Sequence, residues 1–378
     1  MTPKPPPTLR DARLDDAQAV TEFLRDMGLV MPPNDAASER HWRYLWKDNP
    51  ALKAHAPDPA LGWLLEAEGR VVGFFGNVPQ VSWFGGRPVR VSSARAWAVE
   101  RDYRSETGRL CQAFFGQKNV DLLLISSASA PAGKRCIEFG GAKLPQPDYD
   151  RILYWPLDAF GFLKAGLAKK GRGPLAAWFL GGLAAMGLNA GMRLSGRRPF
   201  AALDDVSVAR VPDIDDAFDR LWQRKLAEYP GRLLACRDAA TLKWYFGLSA
   251  AAEHTRVVQS RRDGRLVGYA VLVREDAPAI GLKRIKIADL LVEGDDPAVV
   301  AKLLTAAYEY GLARGCHVLE VIGLPPALRA AVEKHKPYRR AMPTFPFFYK
   351  ALDPALAAPL GQGDGWYVTP YDGDTALL

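Results

Sequence analysis

Three short stretches of this 378-residue chain carry side chains that could do chemistry. Residues 98–110, AVERDYRSETGRL, set Glu100, Tyr103, Arg104, Ser105, Thr107, Gly108 and Arg109 where a strand ending near Val99 gives way to a helix. A helix start gathers unpaired N–H groups and the positive end of the helix dipole. It is therefore either an anion site or a solvated turn bearing two arginines. Residues 126–140, SSASAPAGKRCIEFG, bring the hydroxyls of Ser126, Ser127 and Ser129 and the thiol of Cys136. Hydroxyls can orient a carbonyl. A thiol with the ordinary pKa near 8.5 can donate a proton, or it serves simply as a small buried hydrophobe. The third stretch, residues 174–192, PLAAWFLGGLAAMGLNAGM, has no charge and lies between Lys169, Lys170 and Arg172 on one side and Arg193, Arg197 and Arg198 on the other.

Other chemistries lack their residues. Cys111, Cys136, Cys236 and Cys316 are too far apart for a CxxC pair, and the five histidines fall in no ligand or Ser-His-Asp pattern. A zinc ribbon, a disulfide scaffold and a triad hydrolase are thereby disfavoured, and no metal is expected. Met1 to Pro7, MTPKPPP, reads as an extended proline-rich tail without a secretory pattern, so the expected compartment is the cytoplasm.

Hydrophobic residues at 48% and charged residues at 24% describe a globular chain, and its length suits two domains better than one. The net charge of +8 is concentrated. Lys164, Lys169, Lys170, Arg172, Arg193, Arg197 and Arg198 fall between residues 159 and 203, where there is no acid. The flanking regions are near neutral, which removes support for general DNA binding.

Those flanks repeat one order of elements. A helix with a Trp and Tyr cluster comes first, SERHWRYLWKDNP at 38–50 and DAATLKWYFGL at 238–248, with Ser38 and Asp238 as expected N-caps. A hairpin follows, WLLEAEGRVVGFFG at 63–76 and RVVQSRRDGRLVGYAVLV at 256–273, whose Glu68-Gly69 and Asp263-Gly264 turns call for positive φ. Next come a long strand (89–99; 284–292), a helix (106–118; 297–313), a buried strand (121–126; 317–322), a second helix (132–139; 327–335) and closing strands (150–155; 345–350). The expected fold is α/β with a mixed sheet in each of two tandem units. The divisions are an N-terminal domain at 1–155, a basic hydrophobic helical connector at 156–205, a C-terminal domain at 206–352 and a tail at 353–378. The aromatic clusters read as core. The tail reads as a loosely held end that tucks one Trp onto the body.

In this order the elements resemble the GNAT acyltransferase superfamily, and their doubling resembles its tandem members, such as mycothiol synthase-like and Fem-like aminoacyltransferases. Residues 98–110 look like that family's strand β4, pyrophosphate loop and helix start, although Ser105, Thr107 and Arg109 stand where glycines are usual. The resemblance implies acyl-CoA as substrate, held by Val99, Tyr103, Arg104, Ser105, Thr107, Gly108 and Arg109. It also implies a carboxylate base near β4, for which Glu100 is the candidate, and Cys136 where many members have a proton-donating Tyr. Ser129 stands where the family has an Asn and could orient the acyl carbonyl. The second unit has Asp295 and Asp296 at the corresponding loop, which suits capping and not phosphate, so its expected part is to wall off an acceptor cleft.

The resulting expectation is an enzyme that moves an acyl group from acyl-CoA directly to a small-molecule or lipid-linked amine. Two alternatives remain open at this point: a Fem-like transferase using aminoacyl-tRNA, and a binding protein of the same fold that has lost catalysis. For residues 174–192 a helix packed on protein, a peripheral contact with the inner membrane and a true span are the readings, in that order.

Overall fold

The computed structural model describes residues 6–55, 59–171, 185, 187–188, 191, 195–247, 251–341 and 346–374. The first half contributes strands β1 (Thr8–Asp11), β2 (Gly62–Ala67), β3 (Arg70–Phe84), β4 (Arg87–Val99), β5 (Leu122–Ile125), β6 (Ala142–Lys143) and β7 (Arg151–Pro156). Its helices are α1 (Ala17–Asp26), α2 (Asp35–Trp46), α3 (Thr107–Phe115), α4 (Ala130–Glu138) and α5 (Ala159–Lys169). The second half adds β8 (Val206–Ala209), β9 (Leu233–Ala235), β10 (Thr255–Arg262), β11 (Arg265–Arg274), β12 (Arg284–Val292), β13 (Val318–Val321), β14 (Tyr338–Ala341), β15 (Phe348–Ala351) and β16 (Trp366–Tyr367).

Turn chemistry sets the hairpins. Glu68-Gly69 and Asp263-Gly264 both adopt positive φ, as the sequence requires, and Gly85-Gly86 does the same between β3 and β4. Consecutive positive φ values match the twist of two-residue hairpins. Asp238 accepts from the Thr241 amide at 2.7 Å and caps its helix as expected. Ser38 does not cap; it is buried inside α2, whose cap is Asn34, four residues earlier.

Two mixed sheets result, and their memberships interlock. One runs β1-β2-β3-β4-β5-β15-β6, with β9 on the end of β3 and β16 beside β9; the other runs β14-β7-β13-β12-β11-β10-β8. Each closing strand therefore crosses over. β7, from the first half, pairs antiparallel with β13, and β15, from the second, pairs antiparallel with β5. The exchange is reciprocal even in detail, since β6 pairs with the incoming β15 and β14 with the incoming β7. Sheet membership thus cuts across residue 155 as a dividing line.

The halves are also joined through their repeated aromatic helices. Tyr44 and Trp244 stack at 6.0 Å with an interplanar angle of 9°. Each bonds the other's backbone: Tyr44 Oη donates to the Trp244 carbonyl, and Trp244 Nε1 to the Tyr44 carbonyl at 2.9 Å. Trp42, Trp46, Tyr245 and Phe246 are buried in one core cluster that spans both halves, as the core reading of these residues requires.

The tail is not loose. Trp366, Tyr367, Val368, Thr369, Tyr371 and Asp372 are all buried, because so dense a set of aromatics gains more from water exclusion than a free end would. The tail is fixed by a buried ionic network. Arg237, fully enclosed, donates to Asp289 at 3.1 Å and to Asp372 at 2.9 Å. Tyr269 Oη donates to Asp289 at 2.8 Å, and Thr369 Oγ1 does so at 2.8 Å.

Removing one partner of such a pair leaves an uncompensated charge in the interior. Arg237→Ala is expected to lower stability by about 3–5 kcal/mol, against less than about 1 kcal/mol for Arg70→Ala, whose partner Glu100 it meets at the surface. Urea unfolding followed by tryptophan fluorescence measures both; similar losses for the two variants would refute the structural weight placed on the network.

Candidate functional site

β4 and β5 run parallel only briefly, pairing Val91–Ser93 with Leu122–Leu124. Beyond Ser93 they part. β4 also carries a bulge there: Phe74 faces Ala98 and Gly76 faces Arg95, which leaves Ala96 and Trp97 opposite Phe75, with Ala96 at φ +51°. A bulge re-aims side chains and ends regular pairing, so a wedge opens between the strands. Trp97 is held in that wedge by stacking on Phe75 at 4.7 Å.

Two cavities occupy the wedge and share Leu29, Trp97, Ser129 and Ala132 as walls. The outer one, about 510 Å³, is bounded by Val99, Arg104, Thr107, Pro131 and Arg135. Among the described residues its lining has two arginines and no carboxylate, and Arg135 Nη1 also donates to Glu138 at 2.7 Å. The inner one, about 440 Å³, is bounded by Met31, His41, Trp42, Arg95, Ser127 and Asp374. One cation and one carboxylate face each other there, with Arg95 Nη1 3.9 Å from Asp374 Oδ2.

Asp374 reaches the first half's wedge because the tail threads between the halves. Its amide donates to Ser126 Oγ at 3.1 Å, and Ser126 Oγ donates back to Oδ1 at 2.5 Å. The preceding carbonyl of Gly373 accepts from Gln80 at 2.9 Å and from Tyr245 at 3.1 Å. Gly373 has φ +90°, and a Cβ there would come within 2.6 Å of Ser126 Oγ, so no other residue fits without displacing the carboxylate. Burial, reinforced by the nearby Arg95 charge, pushes the His41 imidazole down to about 4, so it is neutral at pH 7. Its ring lies edge-on to Trp42 at 5.1 Å.

The residues expected from sequence divide. Val99, Arg104, Thr107 and Ser129 line the wedge. Ser129 also caps α4 by accepting from the Ala132 amide at 3.4 Å, which leaves its own O–H free to donate. Tyr103 is buried core. Arg109 turns away to the Pro7 carbonyl at 2.7 Å and to Glu106 at 3.2 Å. Ser105 and Gly108 line neither cavity. The loop itself differs from an open cradle: Arg101–Glu106 winds as a 3-10 helix directly into α3, and the Thr107 amide is spent on the Arg104 carbonyl. Without the usual glycines the chain takes helical φ/ψ and satisfies its own N–H groups.

Two further readings are corrected. Glu100 is gripped by the Arg70 guanidinium and lines neither cavity, so it is not placed to act as a base in the wedge. Cys136 has no exposed surface and packs with Cys111, Phe114 and Phe348; burial pushes its thiol up to about 12. Its role is packing, not proton donation. Arg95, His41, Arg135 and Asp374 were missed. The signal available for Asp374 was Gly373 beside it in a segment too aromatic to be solvated.

In the second half β12 carries a bulge of its own: Val271 faces Asp289 and Leu272 faces Ile287, leaving Ala288 extra. Here, however, the space is filled. Arg237 and Asp289 occupy the interior, while Lys225 Nζ donates to Asp295, Glu228 and the Val292 carbonyl, each at 2.7 Å. Asp296 caps the helix Pro297–Ala313 through the Ala298 amide at 2.8 Å. Among the described residues no cluster of His, Cys, Asp and Glu could hold a metal, and no helix is long and apolar enough to cross a membrane. The readings of 174–192 fall almost wholly outside the described residues.

No protein-family model matches the chain, and no curated protein sequence does. Solved structures do share its fold. A GCN5-related N-acetyltransferase from Anabaena variabilis aligns with 91% of this chain and 72% of its own at 12% identity and a TM-score of 0.54. One from Kribbella flavida aligns with 92% and 71% at 13% identity and 0.55. A conserved protein of unknown function from Enterococcus faecalis, a probable N-acyltransferase, aligns with 92% and 73% at 8% identity and 0.56. The fold is accordingly that of the GCN5-related N-acetyltransferases.

The neutral imidazole makes a pH-dependent contribution to stability. Its folded pKa lies below the unfolded value, so the contribution is complete above about pH 6.5 and is lost as the pH falls toward 4, when the unfolded chain alone takes the proton. The stability difference between the protein and His41→Asn should therefore shrink by on the order of 2 kcal/mol between pH 7 and pH 4.5. Urea titrations at the two pH values test this, and a constant difference would contradict it.

Proposed function

We propose that the wedge of the first half transfers an acyl group from acyl-CoA to an amine. The observation that carries this reading is the pairing of two contiguous cavities, one lined by arginines without carboxylates and the other offering a carboxylate. Arg104 and Arg135 suit the diphosphate of coenzyme A, since guanidinium groups recognise phosphate oxygens by charge-assisted hydrogen bonds. With the loop amides partly consumed by helical turns, these side chains take the larger share of anion binding. The thioester then falls near the bulge at Ala96 and Trp97, where the two cavities meet at Ser129.

Aminolysis needs a neutral amine. Asp374 supplies the acceptor for its proton: Oδ1 accepts from Ser126 and Ser127, while Oδ2 stands 3.9 Å from Arg95. As the amine nitrogen bonds to the carbonyl carbon, the C–S bond breaks and the coenzyme thiolate leaves. A thiolate near pKa 8.5 is a competent leaving group, so the hydroxyl of Ser129 suffices to hold the carbonyl oxygen and no Tyr is required. The second half contributes through its tail, which brings Asp374 to the site.

Isothermal titration with acetyl-CoA should show micromolar to submillimolar binding, weakened roughly tenfold or more when Arg104 and Arg135 are both changed to Ala. Asp374→Asn should lower kcat by about a hundredfold or more with little change in acetyl-CoA affinity. Absence of binding at millimolar acetyl-CoA, or full turnover by the Asp374 variant, would refute the respective parts.

A further inference from the structure

The inner cavity holds a group for which transfer from acyl-CoA has no stated use. Arg95 lies on β4 immediately before the bulge, with its side chain only 16% exposed. A guanidinium carries five N–H donors. Among the described residues these make one contact of 3.5 Å, from Nη1 to the Asp374 carbonyl, and stand 3.9 Å from that residue's Oδ2. The remaining donors of Arg95 line the cavity, where a ligand carrying a matching acceptor can replace water.

Charge and shape narrow the ligand. Among the described residues the cavity is lined by one cation and one anion 3.9 Å apart, and His41 adds no charge at neutral pH. A phosphate would meet repulsion from Asp374, and a simple cationic amine would leave Arg95 without an acceptor. A zwitterion whose amine and carboxylate are joined through one carbon places opposite charges against both. Beyond the hydroxyls of Ser127 and Ser129, the wall is mostly apolar, with Leu29, Met31, Trp42 and Trp97 its large side chains. We infer that the acceptor amine belongs to an α-amino acid with an apolar side chain, whose carboxylate is bound by the fork of Arg95 while its amine faces Asp374. This deepens the acyl-transfer reading and rests on it for the fate of the amine, but the carboxylate site stands on the Arg95 geometry.

Titration of the full-length protein with L-phenylalanine and L-phenylalaninamide, which differ only in the carboxylate, tests the inference. The amino acid should bind roughly ten- to a hundredfold more tightly than the amide, and Arg95→Gln should erase that preference while acetyl-CoA binding stays within about twofold. Release of coenzyme A thiol should follow the same order among acceptors. Equal binding of acid and amide, binding of neither, or a preference that survives Arg95→Gln would overturn it. Should the variant lose acetyl-CoA binding as well, the comparison of acid with amide in the unaltered protein decides alone. Amino-acid binding without any acetyl-CoA binding would instead refute acyl transfer and leave the carboxylate site in place.

Discussion

The enclosed guanidinium of Arg237 is the constraint from which the rest of the structure follows. A charge without water is tolerable only when every hydrogen bond it needs is met, and Asp289, Asp372 and Thr369 meet them. Asp289 lies in β12 of the second sheet, whereas Asp372 and Thr369 belong to the tail. The network thus fixes where the chain runs after β16. Burial pushes the Asp372 carboxyl up, against the pull of Arg237, so the tail holds its place through closed geometry more than through surface charge. Two residues farther on stands Asp374, whose position in the first half's wedge is set by this anchor and by the close fit of Gly373.

Reciprocal exchange of β7 and β15 has a related consequence. Each sheet is completed by a strand from the other half, and the main core draws on both, so the halves cannot separate without unpairing β13 from β7 and β5 from β15. Rigid association is what lets a residue from the end of the chain reach a cleft built by residues 27–42 and 94–135. A flexible linkage could not hold a carboxylate within hydrogen-bond reach of Ser126.

Much of this arrangement was legible in the residues. The Glu68-Gly69 and Asp263-Gly264 turns, the repeated order of elements and the Asp296 cap act through local rules, and local rules survive in any tertiary context, whereas Asp295 is taken up by the distant Lys225. Strand exchange was not legible, because β7 and β15 have the apolar pattern of closing strands whichever sheet receives them. Nor was the site beyond its loop. Arg95 carries no motif in the sequence, and its place follows only from the bulge at Ala96; the tail that holds Asp372 and Asp374 reads as a loosely held end until Arg237 is seen to lie against Asp372. Glu100 misled for the converse reason: its position at the end of β4 was right, yet Arg70 across the hairpin captures its carboxylate.

The two halves share an order of elements but not an open wedge, and on the acyl-transfer reading that asymmetry has a use. Both carry a bulge near the end of the long strand, at Ala96 in β4 and Ala288 in β12, and a bulge with parting strands favours a cavity. In the second half that cavity is filled by Arg237, Asp289 and the tail, and its loop carboxylates are satisfied by Lys225, Arg224 and Arg265. Filling it fixes the tail, and the tail then supplies the carboxylate that the open wedge lacks from its own strands. On the same reading, the ionic interior of the second half is the mount for the carboxylate that stands in the first half's wedge.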